Sequence, residues 1–154
     1  PLYSSAASDV YKRQDVIRTL VESGHVVVAG GGGGVPVVEE DGKLTGVEAV
    51  IDKDFASQKL AAELDADMFI VLTGVDYVYV NFNKPDQARL EKVSVEEMKE
   101  YITQDQFAPG SMLPKVEATI KFAEENPGSK AVITSLENLE QLIQSDAGTI
   151  IESK

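Results

Sequence analysis

Residues 130–151 read KAVITSLENLEQLIQSDAGTII, and the spacing of their apolar positions changes twice. Residues 130–134 are a short β-branched run, which spells a strand. Ser135 stands where a helix cap is preferred, ahead of Leu136, Leu139 and Ile143 at helical spacing. Gly148 ends that pattern, and Thr149, Ile150 and Ile151 resume a strand. A strand, a helix and a strand joined by short connections form the repeating unit of an α/β fold, in which helices pack on a largely parallel sheet.

The alternation continues upstream. Val116, Ile120 and Ala123 define a helix, preceded by a loop over residues 103–113. Ser94 with Glu97 is a capping-box signature that opens a helix with Val95, Met98 and Ile102 on one side. Residues 68–72 read as a buried strand, followed by alternating Val75, Tyr77 and Tyr79; Tyr77, Tyr79 and Phe82 fit the packing of one sheet face. A helix over residues 54–64 places Ala56, Leu60, Glu63 and Leu64 along one side. His25 opens the run Val26, Val27, Val28, Ala29, the signature of a strand buried on both faces. Five glycines, residues 30–34, break it. Val35, Pro36, Val37 and Val38 are then extended, and Asp41-Gly42 predicts a turn before a second extended run at 44–50. Val16, Ile17, Leu20 and Val21 mark a short helix that starts at Asp15 and closes at Gly24. Residues 1–14, PLYSSAASDVYKRQ, carry no sustained period and look like translated adaptor sequence. They are expected to be a non-native leader, the plainer alternative being a frayed natural terminus.

The 154 residues hold 14 basic and 26 acidic side chains, a net charge of -12. That balance argues against nucleic acid and against an anionic membrane as partners, since both need basic clusters. No run approaches the ~18 apolar residues of a membrane span. With no Cys in the sequence, disulfides, thiol catalysis and thiolate metal sites are excluded from it, and a cytoplasmic setting is expected. His25, the one histidine, has no acidic neighbour and carries no catalytic role in this reading. The pairs Glu39-Glu40 and Glu124-Glu125 read as solvated faces.

Two features suggest an anion. The glycine run ends in Val35-Pro36, so it is neither a Walker loop nor a dinucleotide fingerprint. It remains a loop at a strand end whose bare amides can approach an anionic group closely, or else a simple turn. Lys53 lies between Asp52 and Asp54 at a strand-to-helix boundary, and Lys115 follows Pro114 at a helix start. A lysine at the positive end of a helix is slightly unfavourable unless an anion lies between it and the amides. Solvated surface lysines are the plainer reading. Asp54 can hold the Lys53 ammonium or serve only as an N-terminal helix acid.

Taken together, GGGGVPVV, AVIDKDFAS, ADMFIVLTGVDYVYVNF and QFAPGSMLPKVEA resemble the carbamate kinases of the amino acid kinase superfamily, over nearly all of residues 15–154. The closing ITSLENLEQLI and GTII are similar too. The resemblance implies a three-layer αβα sandwich with a largely parallel sheet, truncated at its N-terminus, with residues 15–154 as the C-terminal nucleotide-binding part of an amino acid kinase domain. It also implies phosphoryl transfer between carbamoyl phosphate and ADP, giving ATP and carbamate, which decomposes to ammonia and CO2.

On the same grounds Lys53 matches the lysine that stabilises the transferred phosphoryl group, Asp54 the aspartate that orients the lysines, and Lys115 the lysine that contacts the nucleotide phosphates. Thr73, Gly74 and Val75 fall where adenosine is received, Gly110, Ser111 and Met112 where its phosphates lie. Gly31, Gly32, Gly33 and Gly34 fall near the carbamoyl end. Mg²⁺ is expected to be held through the nucleotide, with no protein metal ligand. Members of the family are about twice this long. The portion without a counterpart here supplies a Gly-Gly-Asn loop, a further catalytic lysine and most of a homodimer interface. The alternatives are a nucleotide-binding module without catalysis, or a relative with another acceptor such as aspartate or acetylglutamate. PGSMLPK together with GGGGVPVV argues against the latter.

Overall fold

The computed structural model describes residues 7–30 and 36–153, with the backbone alone for 7–13. The chain divides into two compact units, Pro1–Leu64 and Asp65–Lys154. The first contains α1 (Ala7–Glu22), the strands β1 (Val37–Glu40) and β2 (Lys43–Gly46), and α2 (Lys53–Glu63). Helix α1 starts at Ala7, not Asp15, because residues 7–14 contain no Gly or Pro to stop it. Gly24 closes it at φ +83°. β1 and β2 form the expected hairpin, with Asp41 at φ +52° and Gly42 at +74°, the two left-handed positions that a two-residue turn of this hand requires.

Three further expectations fail in this unit. Residues 25–29 form no strand, and Val26 and Val28 are 98% and 99% exposed. A doubly buried strand exists only as a rung between neighbours, and no described strand pairs with this one. The second extended run is a strand only to Gly46, leaving Val50 exposed. Helix α2 buries Asp54 and Gln58, whereas Ala56 is exposed. Its start is governed by Asp52, whose carboxylate accepts from the amides of Asp54 (2.7 Å) and Phe55 (3.3 Å). Asp52→Ala is expected to cost about 1 kcal/mol of stability, measurable as a lowered denaturation midpoint; an unchanged midpoint would mean the cap contributes nothing.

The second unit contains β3 (Met68–Thr73), β4 (Val78–Val80), β5 (Ala88–Leu90), β6 (Lys92–Ser94), α3 (Val95–Thr103), α4 (Leu113–Glu125), β7 (Lys130–Ser135), α5 (Leu139–Ser145) and β8 (Thr149–Glu152). Its sheet has the order β3-β7-β8-β6: β3 with β7 and β6 with β8 are parallel, and β7 with β8 is antiparallel. The sheet is therefore mostly parallel, as expected, with one reversal where β7 and β8 pair directly. β4 and β5 form a separate antiparallel hairpin.

Register divides the sheet's two faces. Phe69 pairs with Ala131, Val71 with Ile133, and Ala131 in turn with Ile151. Side chains of this parity face α4, where the Phe69 and Phe122 rings lie 5.4 Å apart. The opposite parity, Ile70, Val132 and Ile150, packs with Leu139 and Leu142 of α5. Helices thus cover both faces, giving the three layers. The core on the α4 side includes Val116, Ile120, Phe122 and Ala123, together with Met98 of α3. The Ser94 capping box forms as expected.

Here too there are corrections. β3 is an edge strand with Met68 and Leu72 exposed, so it is half-buried. In β4 the fully buried side chain is Val78, and the tyrosine face is only part-covered. α5 begins after Asn138, not after Ser135. It buries Leu142 and leaves Ile143 79% exposed, while Leu136, ahead of the helix, is 65% exposed.

Candidate functional site

Helix α4 packs on β7 and joins it through residues 126–129, a turn closed by the Ser129 amide on the Asn126 carbonyl. A helix so connected runs antiparallel to its strand, and its first turn lies at the strand's C-terminal end. Thr73 pairs with Ser135 at that end. The structure therefore brings Thr73, Gly74 and Val75 to the same sheet edge as Gly110, Ser111, Met112 and Lys115, the edge where open α/β sheets collect ligands.

A second tie links these segments. The Asn81 amide at the end of β4 donates to Gln106 Oε1 at 2.8 Å, joining the hairpin to the loop before α4. Buried Phe107 anchors that loop. The Ala108 carbonyl accepts from the amides of Ser111 (3.2 Å), Met112 (3.1 Å) and Leu113 (3.0 Å). Two amides of the expected phosphate turn are thereby engaged internally, while Gly110 and Ser111 are exposed and Lys115 is half-buried. Gly110 has open space where a Cβ would stand. α4 has Pro114 in its first turn, no acidic residue there and no side-chain cap, so Lys115 is that turn's one charged side chain.

In the first unit, Lys53 is the first residue of α2. Its ammonium lies 3.2 Å from Asp54 Oδ2 and 3.3 Å from Oδ1, with side-chain exposures of 69% for Lys53 and 11% for Asp54. The buried carboxylate thus steadies an outward-facing cation. Residues 47–52, which precede it, are not a strand, so the lysine follows a loop. Gly31, Gly32, Gly33 and Gly34 lie outside the described residues. Among the described residues no cluster of three or more His, Cys, Asp or Glu side chains is placed to hold a metal, and no helix is long and apolar enough to cross a membrane.

Sequence reasoning missed Gln106, Asp76, Thr134, Ser135 and Asn138, which tie down the loops of this edge. Gln106, Thr134 and Ser135 reach partners 25, 58 and 59 residues away, which no local pattern marks; Asn138 bonds Thr134 and Ser135 nearby and serves the edge only through them.

A three-layer α/β unit with two turns and a helix-start lysine on one sheet edge defines an α/β protein of the ligand-at-the-strand-ends class. The sequence model of the amino acid kinase family matches residues 4–135, and the chain belongs to that family. It is 60% identical over 136 residues to a carbamate kinase of Latilactobacillus sakei, covering 88% of this chain and 43% of that protein. It is 52% identical over 141 residues to carbamate kinase 2 of Enterococcus faecalis, covering 92% and 45%. Among solved structures it resembles the carbamate kinase of Giardia lamblia bound to AMP-PNP, with a TM-score of 0.85 and 37% identity over 92% of this chain and 45% of that one. The chain spans somewhat less than half the length of these relatives.

Proposed function

We propose that this chain is the nucleotide-binding part of a carbamate kinase, which transfers phosphoryl between carbamoyl phosphate and ADP. The observation that carries the reading is the 60% identity to a carbamate kinase. The sheet edge that gathers Thr73, Gly74, Val75, Gly110, Ser111, Met112 and Lys115 supports it. In the reaction an oxygen of the ADP β-phosphate attacks the phosphorus of carbamoyl phosphate. The bond from phosphorus to the carbamoyl oxygen breaks, and carbamate leaves to yield ammonia and CO2. Such a transfer needs placed cations more than a nucleophilic side chain. Lys115 contacts the nucleotide phosphates, Lys53 meets the charge on the transferred group, and Asp54 orients Lys53. Thr73, Gly74 and Val75 receive the adenosine, and Gly31, Gly32, Gly33 and Gly34 lie near the carbamoyl group. Mg²⁺, when bound, would be held through the nucleotide phosphate oxygens, its usual carriers, and would neutralise part of their charge.

The test is ATP formation from carbamoyl phosphate and ADP by a protein of full family length carrying this sequence. Turnover with carbamoyl phosphate, and none with aspartyl or acetylglutamyl phosphate, is expected. Turnover only with one of the latter overturns the acceptor. Saturable ADP binding by a full-length protein that turns over none of them would instead favour a module without catalysis.

A further inference from the structure

Residues 74–77 form the bend between β3 and β4, and an unusual number of buried polar side chains secures it. The Thr134 hydroxyl donates to the Asp76 carbonyl at 3.2 Å, and the Ser135 hydroxyl donates to Asp76 Oδ1. Asn138 completes the cluster: Nδ2 donates to Thr134 Oγ1 and the backbone amide to Ser135 Oγ, both at 3.0 Å. The next strand is fixed by the Val78 amide donating to Thr149 Oγ1 at 2.8 Å. All four polar residues are buried. A fully satisfied network of this kind fixes one geometry.

The held object is Asp76, which is itself exposed and whose Oδ2 has no partner among the described residues. One carboxylate oxygen is clamped and the other is offered at the ligand edge, directly after Thr73, Gly74 and Val75. A carboxylate repels phosphate, so the phosphate chain belongs at the Lys115 end. What a nucleoside offers a carboxylate is a donor, and the sugar hydroxyls are the donors recognised by acidic residues at such edges. We propose that Asp76 accepts a hydrogen bond from a ribose hydroxyl of the nucleotide, with Ser135 as its positioning residue. This inference rests on the reading that the edge binds ADP.

The test is calorimetric titration of the 154-residue chain with ADP, 2′-deoxy-ADP, 3′-deoxy-ADP and IDP, for the wild type, Asp76→Ala and Ser135→Ala, with melting curves as the folding control. The wild type is expected to favour ADP over one deoxy analogue by about tenfold, the worth of a hydrogen bond to a charged group. Asp76→Ala should bring that preference to about unity without altering affinity for the deoxy form, while melting somewhat earlier because the buried Ser135 hydroxyl loses its acceptor, and Ser135→Ala should reduce the preference. Sugar discrimination unchanged in Asp76→Ala makes Asp76 a brace only and overturns the inference. Discrimination lost against IDP instead assigns the carboxylate to the base amino group and also overturns it. ADP binding without sugar discrimination in the wild type defeats this inference alone, whereas no ADP binding at all defeats the nucleotide reading beneath it.

Discussion

Lys115→Ala is expected to lower kcat for ATP formation by about 10²–10³-fold in a protein of full family length carrying this sequence, and Lys53→Ala by a comparable factor. Each removes a cation fixed before the reaction begins. Lys115 is set by the first turn of α4, where Pro114 is pre-shaped for the helix and the turn itself holds no acidic residue. Lys53 is set by the 3.2 Å contact with buried Asp54. The Lys53 ammonium is largely exposed and screened, so its pair contributes little to stability, and both variants should melt close to the parent while turning over far more slowly. The split between constants separates their roles. Lys115→Ala should also raise the KM for ADP, whereas Lys53→Ala should act mainly on kcat. Steady-state kinetics with melting curves decides it. Parent-like turnover in both variants would overturn the assignments.

Gly148→Ala is expected to be the most damaging small substitution in the second unit, at about 2–5 kcal/mol, combining backbone strain and overpacking. Gly148 has φ +100°, which an L side chain adopts only with strain. An added Cβ would meet Thr134 Cβ at 2.9 Å, the Ile133 carbonyl at 3.1 Å and Thr134 Oγ1 at 3.1 Å. These neighbours belong to β7 in the middle of the sheet and cannot move without disturbing its ladder. The same threonine hydroxyl holds the Asp76 carbonyl, so weaker ADP binding should accompany the lost stability. Gly110→Ala is the control, with open space at Cβ; it should stay within about 1 kcal/mol of the parent, within the usual range for a surface change. Chemical denaturation of both variants checks the contrast, and equal midpoints would refute the steric account.

Elements whose stabilising partners lie close in sequence were legible. The Ser94–Glu97 capping box, the Asp41-Gly42 turn and the apolar stripe Val116, Ile120, Ala123 all formed as read. Ser135 misled because a residue suited to capping a helix also suits bridging a bend. Its hydroxyl accepts from the Asn138 amide and donates to Asp76, while α5 starts later. Residues 25–29 misled because apolar composition states a need for neighbours without supplying them. Val26 and Val28 stand exposed.

The sequence alone determined the α/β class, the family resemblance and the lysines suited to an anion, because periodicity, caps and motif spacing are local properties of the chain. Tertiary structure alone decided that β7 and β8 run antiparallel, that Val78 and not the tyrosines enters the core, and that Thr73 to Val75 share an edge with Lys115. It also set Asp76 under the hydroxyls of Thr134 and Ser135, across 58 and 59 residues of chain. Strand pairing and long-range hydrogen bonds depend on which segments meet in space, and no local pattern encodes that.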